Sequence, residues 1–491
     1  MSRMQPTAEQ EQIIAMARRG GSMKVNAFAG TGKTTTLGFL ADAHPAARVL
    51  YLAFNRDIAN DAGGKMGRKV ESRTMHSAAY AATRPDRARL EAKMSGRWVA
   101  DKFSLSEVMM AGKRITLATM GSMVLQTLSR YCNSADESLS IWHVPGLSVV
   151  YENVPDDVSG DKHAWAMVDS QVLAAAKKLW AMQQDANSDV PITHDTYLKQ
   201  WALRAPQIKT DLIMFDEAQD ASPVIIDLLA KQAAPVVWVG DRHQQIYAWR
   251  GAVDALSKVR VDSEGYLTQS FRFGSNVADI ASGLLQYLGE EKPLSGVGGG
   301  NDDGADAVLS RTNAQAIANF MDLKGRANLS GARELSNTLD QLRDLMNGRP
   351  HGAFALFSDY DELAEYANSG SGRELKAVLR AINDYGLDVI TDKVRESQRL
   401  AKDAYKITVS TCHKAKGREW GRVYITADWK RDEDGDPVLT DEEARLMYVA
   451  VTRAKCNLDV EDIRPWLDLA NGITPESHQV MMDDDDAPGP R

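Results

Sequence analysis

The residues best suited to chemistry lie in Ala27-Phe28-Ala29-Gly30-Thr31-Gly32-Lys33-Thr34, which matches the phosphate-loop pattern except that Ala27 stands where a first glycine is usual. The loop follows the apolar-leaning stretch Met23–Ala27 and leads into the helical pattern Thr34–Ala43. In that setting backbone N–H groups at a helix N-terminus wrap phosphates, Lys33 reaches the β/γ oxygens and Thr34 ligates Mg²⁺. A second segment, Asp211-Leu212-Ile213-Met214-Phe215-Asp216-Glu217, is an apolar strand ending in two carboxylates, and strand carboxyl ends are where open α/β sheets present their ligands. Asp216 then holds Mg²⁺, and Glu217 orients or deprotonates an attacking water. Alone, such an acidic pair describes a solvated turn equally well; beside a phosphate loop, the catalytic reading is the stronger one.

These groups need a scaffold. Short apolar runs recur at Arg48–Phe54, Asp211–Phe215, Pro235–Val239, Ala307–Leu309, Ile407–Ser410 and Val423–Thr426, interleaved with helical patterns such as Glu443–Val451. Continuous apolar runs mark strands buried on both faces, so the fold class is α/β with parallel sheets. Lys33 and Asp216 lie much further apart than the roughly 30 residues of a βαβ unit. The intervening Tyr80–Gln207, with helical stretches such as Asp169–Gln184, reads as a largely helical insertion whose Trp98, Trp142, Trp165, Trp180 and Trp201 serve helix packing. Pro293–Gly304 has the composition of a flexible connection, and Met481–Arg491, with four consecutive Asp, that of a solvated, disordered end.

Composition narrows the class. The chain has 491 residues, 44% hydrophobic and 25% charged, with a formal net charge of −9. It is long enough for about three domains. The three cysteines, Cys132, Cys412 and Cys456, have no partner at metal-site spacing, so neither a disulfide framework nor a structural metal is expected. The opening residues carry no charged-then-apolar signal, and no apolar run nears the ~20 residues that span a bilayer. A cytoplasmic location is expected, associated with the nucleoid if the source is bacterial or phage. Acidity does not exclude nucleic acid, since a groove can be basic on an acidic protein.

Further segments complete a pattern: Ala53-Phe54-Asn55-Arg56, Thr74-Met75-His76, Val239–Ala252 (VGDRHQQIYAWRGA), Ser270-Phe271-Arg272, Thr411–Trp420 (TCHKAKGREW) and Tyr448–Lys455 (YVAVTRAK). In this order they resemble the superfamily 1 DNA helicases of the UvrD/Rep type. Within that group TMHSAAY at Thr74–Tyr80 and HDTYLKQW at His194–Trp201 are most similar to the catalytic part of the F-box DNA helicases, with no F-box expected here. The resemblance implies two RecA-like domains of the P-loop NTPase class, with ATP and Mg²⁺ in the cleft between them. Residues 1–80 and 208–275 would form the first, 81–207 a helical accessory insertion, 276–480 the second with a reduced accessory insertion, and 481–491 the acidic tail.

By position, Gln10 matches a glutamine that reads adenine, Phe271 an aromatic that stacks on the base, and Glu419 a ribose contact. With Ala29, Gly30, Thr31, Gly32, Lys33, Thr34 and Thr35 they make up the expected nucleotide site. Gln244, Arg272 and Arg453 match γ-phosphate sensors and join Glu217 as the catalytic set. An arginine supplied across a domain interface stabilises phosphoryl-transfer charge only when the cleft closes, which couples closure to hydrolysis. Phe54, Asn55, His76, Tyr247, Trp249 and His413 match DNA-facing positions, the aromatic faces suiting base stacking. Tyr247 and Trp249 also read as core aromatics, and His76 and His413 as structural histidines.

Three departures stand out. Thr35 occupies a position where many relatives have an arginine against adenine, Arg418 one where leucine is usual, and the stretch from Arg272 to Thr411 is too short for a large accessory domain. The expected function is an ATP-dependent 3′-to-5′ single-stranded-DNA translocase and DNA helicase, monomeric, acting on single-stranded and duplex DNA, with recombination or replication proteins as further partners. The competing readings are a translocase that mainly strips recombination proteins from DNA, and a nucleotide-switched DNA-binding module. The intact set Glu217, Gln244, Arg272 and Arg453 weighs against the second.

Overall fold

The computed structural model describes residues 5–53, 56–66, 70–110, 113–145, 162–246, 255–299, 304–323, 326–350, 354, 357, 359–368, 373–400 and 404–473. Phe54, Asn55, Tyr247, Trp249 and the acidic tail lie outside them.

The chain lays down β1 (Met23–Ala27), β2 (Val49–Ala53) and β3 (Val70–Thr74), then a small antiparallel hairpin of β4 (Val108–Met110) and β5 (Lys113–Ile115). Next come β6 (Leu212–Phe215), β7 (Val236–Gly240) and β8 (Ser263–Leu267), which join the first three in one sheet of order β3-β2-β6-β7-β1-β8. Every pairing in it is parallel. β2, β6 and β7 are buried along their whole length, as their apolar runs require. All strands therefore point one way, and the loops after β1, β6 and β7 emerge at a single edge.

The strands β9 (Gln269–Ser270) and β10 (Ser295–Gly296) form a short parallel pair. A second parallel sheet, of order β12-β13-β11-β14-β15, is built from β11 (Asp306–Ser310), β12 (Ala327–Leu329), β13 (Ile407–Thr411), β14 (Trp420–Ile425) and β15 (Ala454–Asp459). The chain is thus α/β with two parallel sheets.

One apolar cluster joins the halves: Phe28, Ala29 and Ile246 pack with Phe273, Leu309, Met447 and Val449. A separate cluster, including Val99, Met120, Val124, Val172, Leu179 and Trp180, holds the helices Gly96–Lys102, Leu117–Asn133 and Lys162–Gln184. Among the described residues no helix is long and apolar enough to cross a membrane.

Two expectations need correction. Trp142 does not serve helix packing: it sits on the single 3-10 turn Ile141–His143 and is 88% exposed, because the buried side chain of that turn is His143. The Gly-rich stretch after Pro293 is no slack connection over its described part. β10 lies against the Phe271–Gly274 backbone so closely that a Cβ on Gly296 would strike Gly274 O, and one on Gly298 would strike Phe271 O. Glycine is used there for close approach of two backbones, which composition does not distinguish from flexibility.

Candidate functional site

The loop after β1 is set by two glycines in the left-handed region, Gly30 at φ 74° and Gly32 at φ 78°. Gly32 is the N-cap of the Lys33–Ala43 helix and supplies no side-chain cap, so that helix presents its first N–H groups and the positive end of its dipole to the loop. Gln10 Nε2 donates to Thr36 Oγ1 at 3.0 Å, and Gln10 Oε1 accepts the Thr7 N–H at 3.0 Å. Thr7 and Gln10 form a capping box for the first helix, a motif worth about 1 kcal/mol. A Cβ on Gly32 would lie 3.5 Å from Gln10 Nε2 and 3.7 Å from the Phe271 ring, so these two groups flank the loop. Phe271 is 48% exposed, an aromatic face left open beside a phosphate loop. Its N–H donates to Gly30 O at 2.9 Å. Thr34 and Thr35 are half-buried on the first turn of the helix, and Thr31 is buried with its hydroxyl donating to Phe28 O at 2.8 Å.

At the end of β6, Asp216 is buried, accepting from Tyr51 Oη at 2.7 Å and from the Glu217 N–H at 2.9 Å. Glu217 follows in the left-handed region at φ 53°, a conformation that costs a non-glycine residue energy and turns its carboxylate back toward the loop. Lys33 Nζ lies 3.5 Å from Glu217 Oε1. Gln219 donates to Glu217 Oε2 at 2.5 Å while its Oε1 accepts the Asp241 N–H at 3.1 Å, bridging the loops after β6 and β7.

Burial and the neighbouring Glu217 charge raise the Asp216 carboxyl, against the pull of Lys33 and Tyr51. Burial also acts to raise Glu217, but Lys33, Lys416 and Gln219 outweigh it and hold Glu217 below the ordinary carboxylate range. For Lys33, burial is opposed by Glu217, Asp241 and Asp216, with a net rise. The site thus keeps Lys33 charged and Glu217 ionised at neutral pH. Asp216 with the Thr34 hydroxyl supplies the hard oxygen donors that suit Mg²⁺.

From the second sheet, Arg453 reaches the same place. It is fully buried, and among the described residues its hydrogen bonds go to neutral oxygens: Val449 O at 2.8 Å, Thr452 Oγ1 at 3.0 Å, Arg418 O at 3.2 Å and Gln244 Oε1 at 3.4 Å. Burial and the nearby Arg272 guanidinium push it down to about 9, the mark of a buried cation wanting an anion. Arg272 donates to Thr452 O at 2.9 Å; its Nε is 2.8 Å from Glu419 Oε2 without hydrogen-bond alignment. Gln244 Nε2 donates to Asp241 Oδ2 at 2.8 Å. Lys416 makes an ion pair with Asp220 and donates to Gln244 O at 2.6 Å, crossing from the second sheet to the first. Arg453, which has no carboxylate partner among the described residues, together with Arg272, Lys33 and an open helix N-terminus fits a polyphosphate.

The residues expected to act on nucleotide therefore gather at one cleft. Glu419 faces Arg272 and is half exposed. The DNA-facing set is less complete. His76 Nε2 is 3.1 Å from Asp195 Oδ1, with the rings of His194 and Tyr197 edge-on at 6.4 Å. His413 is half-buried on the short helix Cys412–Ala415.

Sequence reasoning missed Tyr51, Gln219, Asp220, Asp241, Lys416 and Tyr448. Gln219 and Asp220 lie one residue beyond the acidic pair, after Ala218, and were open to notice; Tyr51, inside an apolar strand, was not.

Comparison with known proteins adds a family to this geometry. Residues 7–259 match the family described as UvrD/REP helicase N-terminal domain, and residues 333–462 that described as UvrD-like helicase C-terminal domain. The chain is similar to F-box DNA helicase 1 of Gallus gallus, 29% identical over 523 aligned residues covering 96% of this chain and 50% of the relative. F-box DNA helicase protein 1 of Schizosaccharomyces pombe is 29% identical over 543, covering 98% and 60%. A probable DNA helicase II homolog of Mycoplasma pneumoniae is 36% identical over 110, covering 20% and 15%. The chain spans about half to three-fifths of the length of the first two relatives.

Proposed function

The chain belongs to the UvrD/Rep helicase family, and from that premise we propose that it is an ATP- and Mg²⁺-dependent motor that moves 3′ to 5′ along single-stranded DNA and separates duplex DNA. The observation that carries this reading is the convergence of Lys33, Glu217 and Gln244 from the first sheet with Arg453 from the second, the arginine buried without a counter-ion among the described residues. In the first unit, 1–80 and 208–275, the phosphate loop binds the phosphates through its N–H groups and Lys33. Glu217, held ionised, orients a water and takes its proton. Arg272 and Arg453 stabilise charge spreading over the γ-phosphoryl oxygens, and Arg453 does so fully only when the second unit, 276–480, is closed on the first. Thr34 and Asp216 would hold Mg²⁺, which would supply neutralisation of the phosphate charge. Cleft motion then pulls DNA held at His76, His413, Tyr247 and Trp249 past the helical insertion 81–207.

The polarity follows the resemblance of Gln244–Gly251 to the 3′-to-5′ branch, and DNA as substrate follows from the similarity to DNA helicases. Strand separation measured on duplexes carrying a single 3′ or 5′ tail tests it. ATP-dependent separation of the 3′-tailed duplex alone is expected; separation of the 5′-tailed duplex alone would overturn the polarity, and separation of neither would leave protein displacement as the task.

A further inference from the structure

Tyr448 lies in the Asp441–Val451 helix of the second half, fully buried, with its hydroxyl inserted among groups of the first half. Its Oη accepts the Ala29 N–H of the phosphate loop at 3.1 Å and lies 2.9 Å from Asp241 Oδ2. A backbone N–H only donates, so the hydroxyl proton is committed to Asp241. The same Oδ2 accepts from Gln244 Nε2 at 2.8 Å, while Oδ1 takes the His243 N–H at 3.1 Å. Gln244 Oε1 in turn faces Arg453 Nη2 at 3.4 Å, and arginine also only donates. Donor and acceptor roles are therefore fixed along the whole chain Ala29, Tyr448, Asp241, Gln244, Arg453, and every member is buried.

We propose that Tyr448 is a positioning residue that ties the phosphate loop to the Gln244 sensor, so that phosphate bound at the loop changes the hold of Asp241 on Gln244. The inference rests on the hydrolysis reading above and deepens it. The bond to Asp241 uses one of the two Nε2 hydrogens and fixes the direction of the Gln244 amide, so how far the amide swings toward a γ-phosphoryl group depends on how firmly Asp241 holds it. Tyr448 competes for the same carboxylate oxygen and so weakens that hold. Its second partner is the loop itself, so a shift at Ala29 alters how firmly the hydroxyl engages Asp241. One helix thus grips the sensor from both sides, through Tyr448 on Asp241 and, just past its end, through Arg453 on Gln244. Without the hydroxyl, Gln244 is the one donor to Asp241 Oδ2 left among the described residues, and the sensor stays parked.

The test uses the full chain with Tyr448→Phe, which keeps the ring. In steady-state ATPase assays with single-stranded DNA, kcat should fall by about ten- to a hundredfold, the equivalent of one hydrogen bond to a buried charge. KM for ATP should stay within about twofold, since the phosphate contacts remain. In a Gln244→Ala background the same change should have no further effect on kcat, because the two act in series. A structural role predicts an equal extra loss in both backgrounds, and that result would overturn the proposal. If Tyr448→Phe shows no cooperative melt, Asp241→Asn replaces it in the same cycle with the same expected non-additivity. Hydrogen exchange separates this idea from the hydrolysis reading: ATPγS should change protection across Asp241–Gln244 in wild type and not in Tyr448→Phe. Wild type that binds ATPγS without turning over ATP would sink the hydrolysis reading alone, while equal exchange responses in both proteins would sink the relay.

Discussion

Gly30→Ala tests how the phosphate loop sets the position of Arg272. At φ 74° an added Cβ meets Ser270 Oγ and sits 2.7 Å from Arg272 Cβ. The left-handed conformation itself costs alanine about 1–2 kcal/mol. The serine hydroxyl can rotate away, but a Cβ is fixed to its backbone, so the Phe271–Arg272 segment must retreat by roughly 1 Å to restore ordinary contact. A displacement of that size at a catalytic group is worth about a hundredfold in rate. Steady-state ATPase at saturating single-stranded DNA should therefore show kcat lowered by about a hundredfold, with a small drop in melting temperature. Gly30→Ala combined with Ser270→Ala should not recover the rate, because Arg272 Cβ remains in the way. Recovery in the double variant, or a kcat within about twofold of wild type for Gly30→Ala, would refute the reasoning.

Phe271→Ala should raise KM for ATP by about five- to a hundredfold, the scale of one base stack, with kcat and melting temperature little changed because the ring is half exposed; ATPase titration and a thermal melt check this. Arg453→Lys should lower kcat by about a thousandfold or more despite keeping the charge, since an ammonium cannot hold Val449 O, Arg418 O and Gln244 together while reaching a phosphate; single-turnover hydrolysis reads it. Burial pushes the Asp220 carboxyl up to about 6, against Lys416. The native state therefore binds a proton more tightly than the unfolded chain, and stability present at pH 4 is lost as pH rises through 6, by about 3 kcal/mol at most. Melting of the nucleotide-free protein between pH 4 and 7.5 should show this loss in wild type and a shallower one in Asp220→Asn; parallel curves would contradict it.

Much of the fold and several of the groups that gather at the candidate site were legible because each occupies a contiguous motif. An apolar run followed by Gly30-Thr31-Gly32-Lys33 or by Asp216-Glu217 states both a strand and what its end presents. The two supporting tyrosines were not legible, for a reason of topology. The Tyr51 hydroxyl meets Asp216 from 165 residues away, and that of Tyr448 meets Asp241 from 207 and Ala29 from 419. In the chain both read as apolar positions, since a tyrosine ring buries like a phenylalanine and only its oxygen declares a partner. Trp142 fails the other way. A large aromatic amid helical sequence reads as core, yet the turn that carries it buries His143 instead and points the indole outward.

In the proposed motor Glu217 drives hydrolysis and turnover responds to DNA. The most direct measurement is ATPase rate with and without single-stranded DNA for wild type and Glu217→Gln in parallel. Strong stimulation by DNA is expected in wild type and its loss in Glu217→Gln, with ATP still bound. Turnover that ignores DNA, or a Glu217→Gln protein as active as wild type, would contradict it.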